Sequence, residues 1–321
     1  MNGLGLAEKY YFDIGRRPLL DACPDVPGWA AGLAGEGSDC LGFDDEISRD
    51  HDWGPGFCIW LNDEDFSRYG EALQAAYDSL PAEFMGFIRE NMPLAGRRVG
   101  VFSTSDYYKR FLGRPGLPAT NFEWLNIPEE YLAVAVSGKV FEVYGKDAGF
   151  ESSFCAVREG ILNFYPEDVR RKKIAADLAR MAREGQYNYW RCLERGEAAA
   201  AYMALSGYIS SAIKAIYLLK KRYAPYYKWA LRGLREVPGC SEFCSIIDRL
   251  VSAPSDMAAL SDANVRERKL ALIEEIAGEI IGELSAQGLS RGKESFLQSH
   301  AEEVLAGISD KELKSIHILA G

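Results

Sequence analysis

The sequence predicts an α+β protein in which an N-terminal mixed sheet with covering helices is followed by a C-terminal all-α bundle. Strand-like and helical segments alternate up to about residue 150. From Pro166 onward, apolar residues recur at steps of three and four, as on one face of a helix. The chain has 321 residues and 48% apolar content, which is enough for more than one hydrophobic core. We therefore predict one domain over residues 1–155 and a helical domain over residues 156–321.

The N-terminal part contains the elements that such a layered domain needs. Asn62 and the three acids after it predict a helix start, because Asn caps free backbone N–H groups and first-turn acids complement the helix dipole. That helix is expected to run to about Tyr77. The other expected elements are helices over Leu4 to Ile14 and Pro18 to Cys23, a segment through Leu33 that leads into a turn at Gly37 and Ser38, and strands over Trp53 to Leu61, Arg98 to Ser103 and Lys139 to Tyr144.

The C-terminal part predicts long helices that pack as a bundle. One helix is expected over Asp168 to Leu193 and the next over Ala198 to Tyr223, where Pro225 interrupts the pattern because it cannot donate a helical hydrogen bond. The second helix should bury Tyr202, Leu205, Ile209, Ala212, Ile216 and Leu219. Further helices are expected over Ser241 to Ser252, Asn264 to Gln287, Lys293 to Ala306 and shortly after Ser309.

A Gly-Ser pair followed by an Asp-x-Asp is the most informative motif of the sequence. Eleven residues separate Gly37-Ser38 from Asp50-His51-Asp52. If the next strand began at or before Asp50, both aspartates would lie on one face, because strand side chains alternate. Such carboxylates offer hard oxygen ligands to Mg²⁺, which takes further ligands from water and substrate phosphates. The turn at Gly37 and Ser38 would let backbone N–H groups approach those phosphates.

This motif resembles the signature of the nucleotidyltransferase superfamily of DNA polymerase β type, although Glu36 stands where an apolar residue is usual. The stretches 42–55, 164–169, 185–189 and 221–229 resemble a bacterial family of uncharacterised nucleotidyltransferase-like proteins. The resemblance implies a nucleotidyltransferase-like fold and an adenylyltransferase-like reaction with an NTP as substrate. It assigns Asp50 and Asp52 to one Mg²⁺, or to two, and Gly37 and Ser38 to the nucleotide.

The superfamily pattern also requires a third carboxylate on a later strand. Glu142 lies between apolar residues of the expected strand and would be a metal ligand or the general base, and Asp147 follows in the turn. The alternative for Glu142 is an exposed strand carboxylate without a catalytic role. Lys228 follows the break at Pro225 and is expected to reach triphosphate oxygens, or else to extend from a helix end into solvent.

Aromatic residues of the first long helix offer a second set of candidates. Tyr187, Tyr189 and Trp190 would stack on a nucleobase or pack in the core. His51 invites comparison with histidine-aspartate phosphohydrolases, but no other histidine occurs before His300, so the ligands of that class are missing. The seven cysteines lack C-x-x-C spacing, which argues against a disulfide framework or a structural zinc site.

Charge and hydropathy limit the partners. The net charge of −10 predicts no nucleic-acid partner and no binding to anionic membranes. Residues 1–65 hold fourteen acids against four bases, whereas residues 166–235 hold fifteen bases against six acids, which suits a metal-bound triphosphate. The N-terminus lacks the basic start and apolar stretch of a secretory signal, and we expect a cytoplasmic protein.

These expectations combine into one functional hypothesis and one alternative. The first is a Mg²⁺-dependent nucleotidyltransferase that moves a nucleoside monophosphate from an NTP to a hydroxyl of a small molecule or a protein. The alternative is a catalytically degenerate member that binds nucleotides or regulates a partner, in the manner of an antitoxin.

Overall fold

The computed structural model describes residues 1–49, 53–89, 97–147, 151–254 and 262–321. It is an α+β protein with a mixed four-stranded sheet and many helices, which confirms the predicted fold class. The first half contains α1 (Gly3–Tyr10), α2 (Arg16–Ala22), β1 (Gly28–Leu33), β2 (Cys58–Leu61), α3 (Asp63–Asp78), β3 (Glu83–Phe84), β4 (Phe87–Ile88), β5 (Gly100–Ser103), α4 (Thr104–Leu112), α5 (Asn121–Leu125), α6 (Glu129–Ala135), β6 (Lys139–Gly145) and α7 (Ser153–Leu162). The second half contains α8 (Glu167–Met181), α9 (Trp190–Glu194), α10 (Ala198–Leu219), α11 (Tyr227–Arg235), α12 (Ser241–Ser252), α13 (Ala263–Ala286), α14 (Leu297–Ala306) and α15 (Lys311–Ser315).

The chain forms two compact units. The first consists of residues 1–118 and 131–163, and the second of residues 119–130 and 164–321. The first unit therefore holds the whole four-stranded sheet, and the second is helical in its described residues.

The sheet of the first unit has the strand order β5-β2-β1-β6. β1 pairs antiparallel with both β2 and β6, whereas β2 and β5 run parallel, so the sheet is mixed as predicted. Every residue of β1 and β2 is buried, because both are central strands covered by side chains. One core cluster of this unit includes Tyr10 at the end of α1, Tyr11 directly after it, Trp29 of β1 and Phe57 before β2.

The predicted strand over Trp53 to Leu61 is wrong in its first half, since β2 begins only at Cys58. Gly54 has a φ of +145°, and Pro55 has no N–H to donate to a strand ladder. The Gly-Pro-Gly segment therefore bends the chain before the strand. Asp50 and Asp52 would share one strand face only if the strand began at or before Asp50. β2 begins later than that.

The second unit is built on α8, which packs against α10 and α14. Residues Ala182–Tyr189 continue α8 as a π-helical segment that leads into α9. Leu205, Ala212, Ile216 and Leu219 of α10 are buried as predicted, but Tyr202 is 69% exposed, contrary to the prediction.

Among the described residues, Ala198–Leu219 is the one helix whose length and apolarity would allow it to cross a membrane. These properties are weak evidence, because core helices of soluble proteins share them. Here the buried side of α10 contacts α8 and the π-helical segment.

Candidate functional site

The Gly37-Ser38 turn directly follows β1, as the sequence predicts. Gly35 and Gly37 have φ values of +112° and +119°, a region that side chains other than glycine rarely adopt. The backbone N–H of Phe43 donates to the carbonyl of Ser38 at 2.8 Å and closes the turn. Gly37 is exposed and Ser38 half-buried, so the turn is accessible to a ligand.

Arg98 holds this turn from the segment before β5. Its Nε donates to the carbonyl of Glu36 at 2.8 Å, and its guanidinium pairs with the buried carboxylate of Asp39. Burial alone would lower the pKa of Arg98, but the neighbouring Cys40 and Asp39 raise it above its ordinary value. A positive charge is therefore fixed beside the turn, on a residue that sequence analysis did not single out.

The absence of a side chain at Gly37 is required by these neighbours. A Cβ built at Gly37 would collide with the guanidinium of Arg98 and the carboxylate of Asp39. Beneath the turn, the hydroxyl of buried Tyr107 has no hydrogen-bond partner in the described part of the chain and lies 3.6 Å from a Cβ built at Gly35. The backbone of the turn therefore lies close to the Arg98 guanidinium and the Tyr107 hydroxyl.

Asp39, Asp44 and Trp53 meet at the start of α1. The Oδ2 atom of Asp44 accepts hydrogen bonds from the backbone N–H of Gly3 at 2.8 Å and from Nε1 of Trp53 at 3.1 Å. A Cβ built at Gly3 would lie 3.0 Å from Nε1 of Trp53 and 3.1 Å from Oδ2 of Asp39. The Oδ1 atom of Asp44 is buried and accepts no hydrogen bond from any described residue.

Asp50, His51 and Asp52 lie outside the described residues, so their assignment stays a prediction. The residues that flank them are described. The Arg49 guanidinium carbon lies 4.6 Å from the centre of the Trp53 ring, and that ring also contacts Phe87 at 5.0 Å. Arg49 and Trp53, which flank this segment, therefore lie beside each other, and Trp53 also contacts Asp44.

Glu142 lies on β6, opposite Ala31 of β1, and its carboxylate is already engaged. Arg16 donates two hydrogen bonds to it, at 2.8 Å from Nε and 2.9 Å from Nη2, and the Tyr11 hydroxyl donates at 2.5 Å. Burial would raise the pKa of Glu142, but the hydrogen bonds from Arg16 and Tyr11 lower it below its ordinary value. Its role as ligand or base stays a prediction, and sequence analysis missed both of its partners.

The remaining candidates lie in the second unit. Lys228 is exposed at the start of α11, with its Nζ 5.0 Å from the centre of the Trp229 ring. Tyr189 is buried in the core, whereas Tyr187 and Trp190 are 50% and 37% exposed. Within the described ranges, no three His, Cys, Asp or Glu side chains are grouped as a metal site.

Comparisons with known proteins give one family match and one structural neighbour. The profile of a family described as Domain of unknown function (DUF4037) matches residues 124–230, a segment that contains Glu142 and Lys228 but not the Gly37-Ser38 turn. No curated protein matches the chain significantly. A solved structure of a nucleotidyltransferase-like protein from Exiguobacterium sibiricum is similar at 14% identity and a TM-score of 0.33, over 93% of this chain and 88% of that chain.

Proposed function

We propose that the protein is a Mg²⁺-dependent nucleotidyltransferase that moves a nucleoside monophosphate from an NTP to a hydroxyl acceptor. The observation that supports this best is that described residues next to each half of the motif meet at the start of α1. Asp39, which follows the Gly37-Ser38 turn, approaches Gly3, and Trp53, which follows Asp52, shares Asp44 with that same glycine. Asp39 and Trp53, the described neighbours of the two halves, therefore both lie close to Gly3.

One carboxylate at this place supports the proposal of a divalent cation. Asp44 keeps a buried carboxylate oxygen that no described residue satisfies, and such an oxygen is costly unless it finds a donor or a cation. In the proposal Asp50 and Asp52 hold the Mg²⁺, as the sequence resemblance implies. When bound there, the ion would supply positive charge against the phosphate oxygens.

The other residues bind and orient the nucleotide in this proposal. The N–H groups of the Gly37-Ser38 turn face the phosphates, and the fixed charge of Arg98 lies beside them. Lys228 is proposed as a further nucleotide-binding residue that offers a point charge to phosphate oxygens. The acceptor oxygen forms a bond to the α-phosphorus, the bond to pyrophosphate breaks, and the acceptor proton passes to a base, for which Glu142 is the candidate.

Transfer of label from an NTP tests the proposal. The full-length protein is incubated with Mg²⁺, α-labelled NTPs and a panel of hydroxylated acceptors, and pyrophosphate release is measured in parallel. Asp50→Asn with Asp52→Asn should abolish both signals, whereas Asp13→Asn, an exposed aspartate of the same unit, should leave them unchanged. Turnover that survives the double substitution would contradict the proposal.

The engagement of Glu142 by Arg16 and Tyr11 favours one alternative, a catalytically degenerate protein that binds nucleotides in a regulatory role. Thermal unfolding with each NTP, with and without Mg²⁺, separates the two proposals, because a ligand that binds only the folded state raises the unfolding temperature. Metal-dependent stabilisation without label transfer to any acceptor supports the regulatory protein. Stabilisation together with transfer supports the enzyme.

A further inference from the structure

A long stretch of the second unit contains cations and no acids. From Ala198 to Arg235 there are seven lysines and arginines and not one Asp or Glu, although the whole chain has 47 acids in 321 residues. Part of this stretch is the core helix α10, where acids would be unfavourable. The segment from Lys221 to Arg232, however, lies largely at the surface, so its lack of acids needs another reason.

The exposed side chains of this segment include both cations and aromatic rings. Tyr226 and Tyr227 are 49% and 78% exposed, and their ring centres lie 4.3 Å apart. Lys221, Arg222 and Lys228 have no ion-pair partner in the part of the chain that the structure describes. We call these five residues the α11 surface.

The last residue of α11 lines a groove. Arg235 lines a groove of about 610 Å³ with Arg249, Arg268 and the hydroxyl-bearing residues Ser241, Ser245 and Ser252. Arg235 pairs with Asp248 at 2.7 Å and Arg249 with Glu275 at 2.5 Å. Two of the three arginines are thus neutralised by acids, and the excess of positive charge in the described lining comes from Arg268.

We propose that the α11 surface and this groove bind single-stranded nucleic acid. Proteins that bind single strands combine a cationic groove along the phosphates with exposed rings on which bases stack, and both parts are present here. An acidic protein or an anionic membrane would bind the cations but has no nucleobases to stack on Tyr226 and Tyr227. The net charge of −10 disfavours nucleic acid for the molecule as a whole, but the charge of the α11 surface is locally reversed.

Binding of labelled oligonucleotides to the full-length protein tests this inference. Fluorescence anisotropy is measured with single-stranded RNA and DNA of twenty nucleotides and with a duplex of the same sequence. We expect the single strands to bind more tightly than the duplex, and the RNA and DNA arms show which is preferred. The slope of log Kd against log salt should show several phosphate contacts, each worth about 0.7 for single strands.

Two exposed double variants separate stacking from charge. Tyr226→Ala with Tyr227→Ala should weaken single-strand binding about tenfold or more, because two stacked bases are lost. Lys221→Ala with Arg222→Ala should weaken binding and reduce the salt slope by about 1 to 1.5, the loss of two contacts. Tyr202→Ala is the matched control, an aromatic residue of the same unit that is 69% exposed and lies outside the α11 surface. Unchanged circular dichroism and unfolding temperature would show that each variant still folds.

Several results would overturn the inference. One is the absence of oligonucleotide binding. Another is a loss of affinity in Tyr202→Ala equal to that in the tyrosine double variant. A third is an affinity that the Tyr226 and Tyr227 substitutions leave unchanged. Tight binding to vesicles with 30 mol% phosphatidylserine, with weaker binding to oligonucleotides, would assign the surface to membranes instead. Full displacement of the oligonucleotide by stoichiometric ATP and Mg²⁺ would show that the surface belongs to the mononucleotide site.

Discussion

The carboxylate of Glu142 supports two different interpretations, a metal ligand and a structural ion-pair partner. Its position on β6 suits a third metal ligand, but Arg16 and Tyr11 of the N-terminal helices already bind it. Since the side chain is only 22% exposed, the ion pair is shielded from solvent and should contribute to stability. Its lowered pKa means that this contribution is present above the ordinary pKa of glutamate and is lost as the pH falls through the folded value.

We therefore expect Glu142→Gln to destabilise the first unit by about 1 to 2 kcal/mol, because hydrogen bonds to a charged group are lost. Arg16→Gln should cost a similar amount, and the double variant should cost less than the sum. Urea unfolding at pH 7 measures this coupling. Additive single effects would show that the pair is not a stabilising interaction, and loss of turnover without loss of stability would identify Glu142 as a catalytic residue.

Gly37 provides a second test at the scale of one residue. Gly37→Ala should destabilise the fold by more than Gly42→Ala, although both glycines have positive φ. At Gly42 nothing lies within 4 Å of an added Cβ, so only the backbone cost of about 1 kcal/mol applies. At Gly37 the added Cβ also displaces Arg98 and Asp39. Equal unfolding free energies for the two variants would contradict the packing of the turn.

At the scale of elements, local signals predicted the structure well where they depended on neighbours in sequence. α12 covers Ser241–Ser252 as expected, and Asn62 caps α3 by accepting the N–H of Asp65. The last helix begins at Lys311 with Asp310 as its cap, shortly after Ser309 as expected, whereas α14 begins at Leu297 instead of near Lys293. Element types therefore followed from periodicity, whereas their ends depend on the caps that the tertiary structure selects.

Long-range contacts explain what the sequence could not predict. The π-helical segment Ala182–Tyr189 accommodates close packing, because a Cβ on Gly185 would collide with the Tyr208 ring of α10. In the candidate site the Gly37-Ser38 turn was predictable from two adjacent residues. The pairing of Asp39 with Arg98, 59 positions later, was not, because no local pattern marks two residues so far apart in sequence.

The connection between α13 and α14 depends on one carboxylate. Oε2 of Glu303 on α14 accepts hydrogen bonds from the Ser290 hydroxyl at 2.6 Å and from the Arg291 N–H at 2.7 Å. Buried His300 is 2.7 Å from the same hydroxyl through Nδ1, and its Nε2 faces the Glu294 carbonyl at 2.7 Å. These contacts fix residues 288–296, which lack regular structure.

Replacement of Glu303 by Ala should therefore loosen this connection without melting the helices. We expect amide exchange at Arg291 and Gly292 to accelerate at least several-fold, because their N–H groups lose an acceptor. Hydrogen exchange followed by mass spectrometry measures this. Glu302→Ala, which removes only an exposed contact with Gln298, is the control and should not change exchange in 288–296.

At the scale of the whole molecule, the uneven distribution of charge has a consequence for stability. The second unit buries acids among its many bases, and Asp177 is only 4% exposed beside Arg180. Burial raises the pKa of Asp177 to about 6, although Arg180, Lys214 and Lys173 act in the opposite direction. For Asp177 the effect of burial on the pKa is therefore larger than the opposing effect of the neighbouring bases.

Half-buried Glu129 is a second acid of this unit whose pKa is raised. Its Oε1 accepts the N–H of Ala224 at 2.8 Å. Burial, with a smaller effect of the nearby Asp177, raises the pKa of Glu129 to about 7 against the Ala224 hydrogen bond and the charges of Lys173 and Lys214. Protonated Glu129 is therefore favoured by the folded state at a pH where the unfolded chain is already ionised.

The sign of the pH dependence follows from this difference. Between the ordinary pKa of glutamate and about 7, the folded state binds more protons than the unfolded state, so stability falls as the pH rises through that window.

Glu129→Gln removes the titration and still offers an oxygen to Ala224. We expect the variant and the parent to be about equally stable at pH 4.5 or below, and the variant to gain on the order of 1 kcal/mol or more by pH 8. Urea unfolding at intervals of one pH unit measures the difference. Glu130→Gln, on the exposed neighbouring residue, is the matched control and should not reproduce the gain in stability seen for Glu129→Gln. Parallel curves for Glu129→Gln and the parent would show that the pKa of Glu129 is the same in the folded and unfolded states, which would contradict the effect of burial.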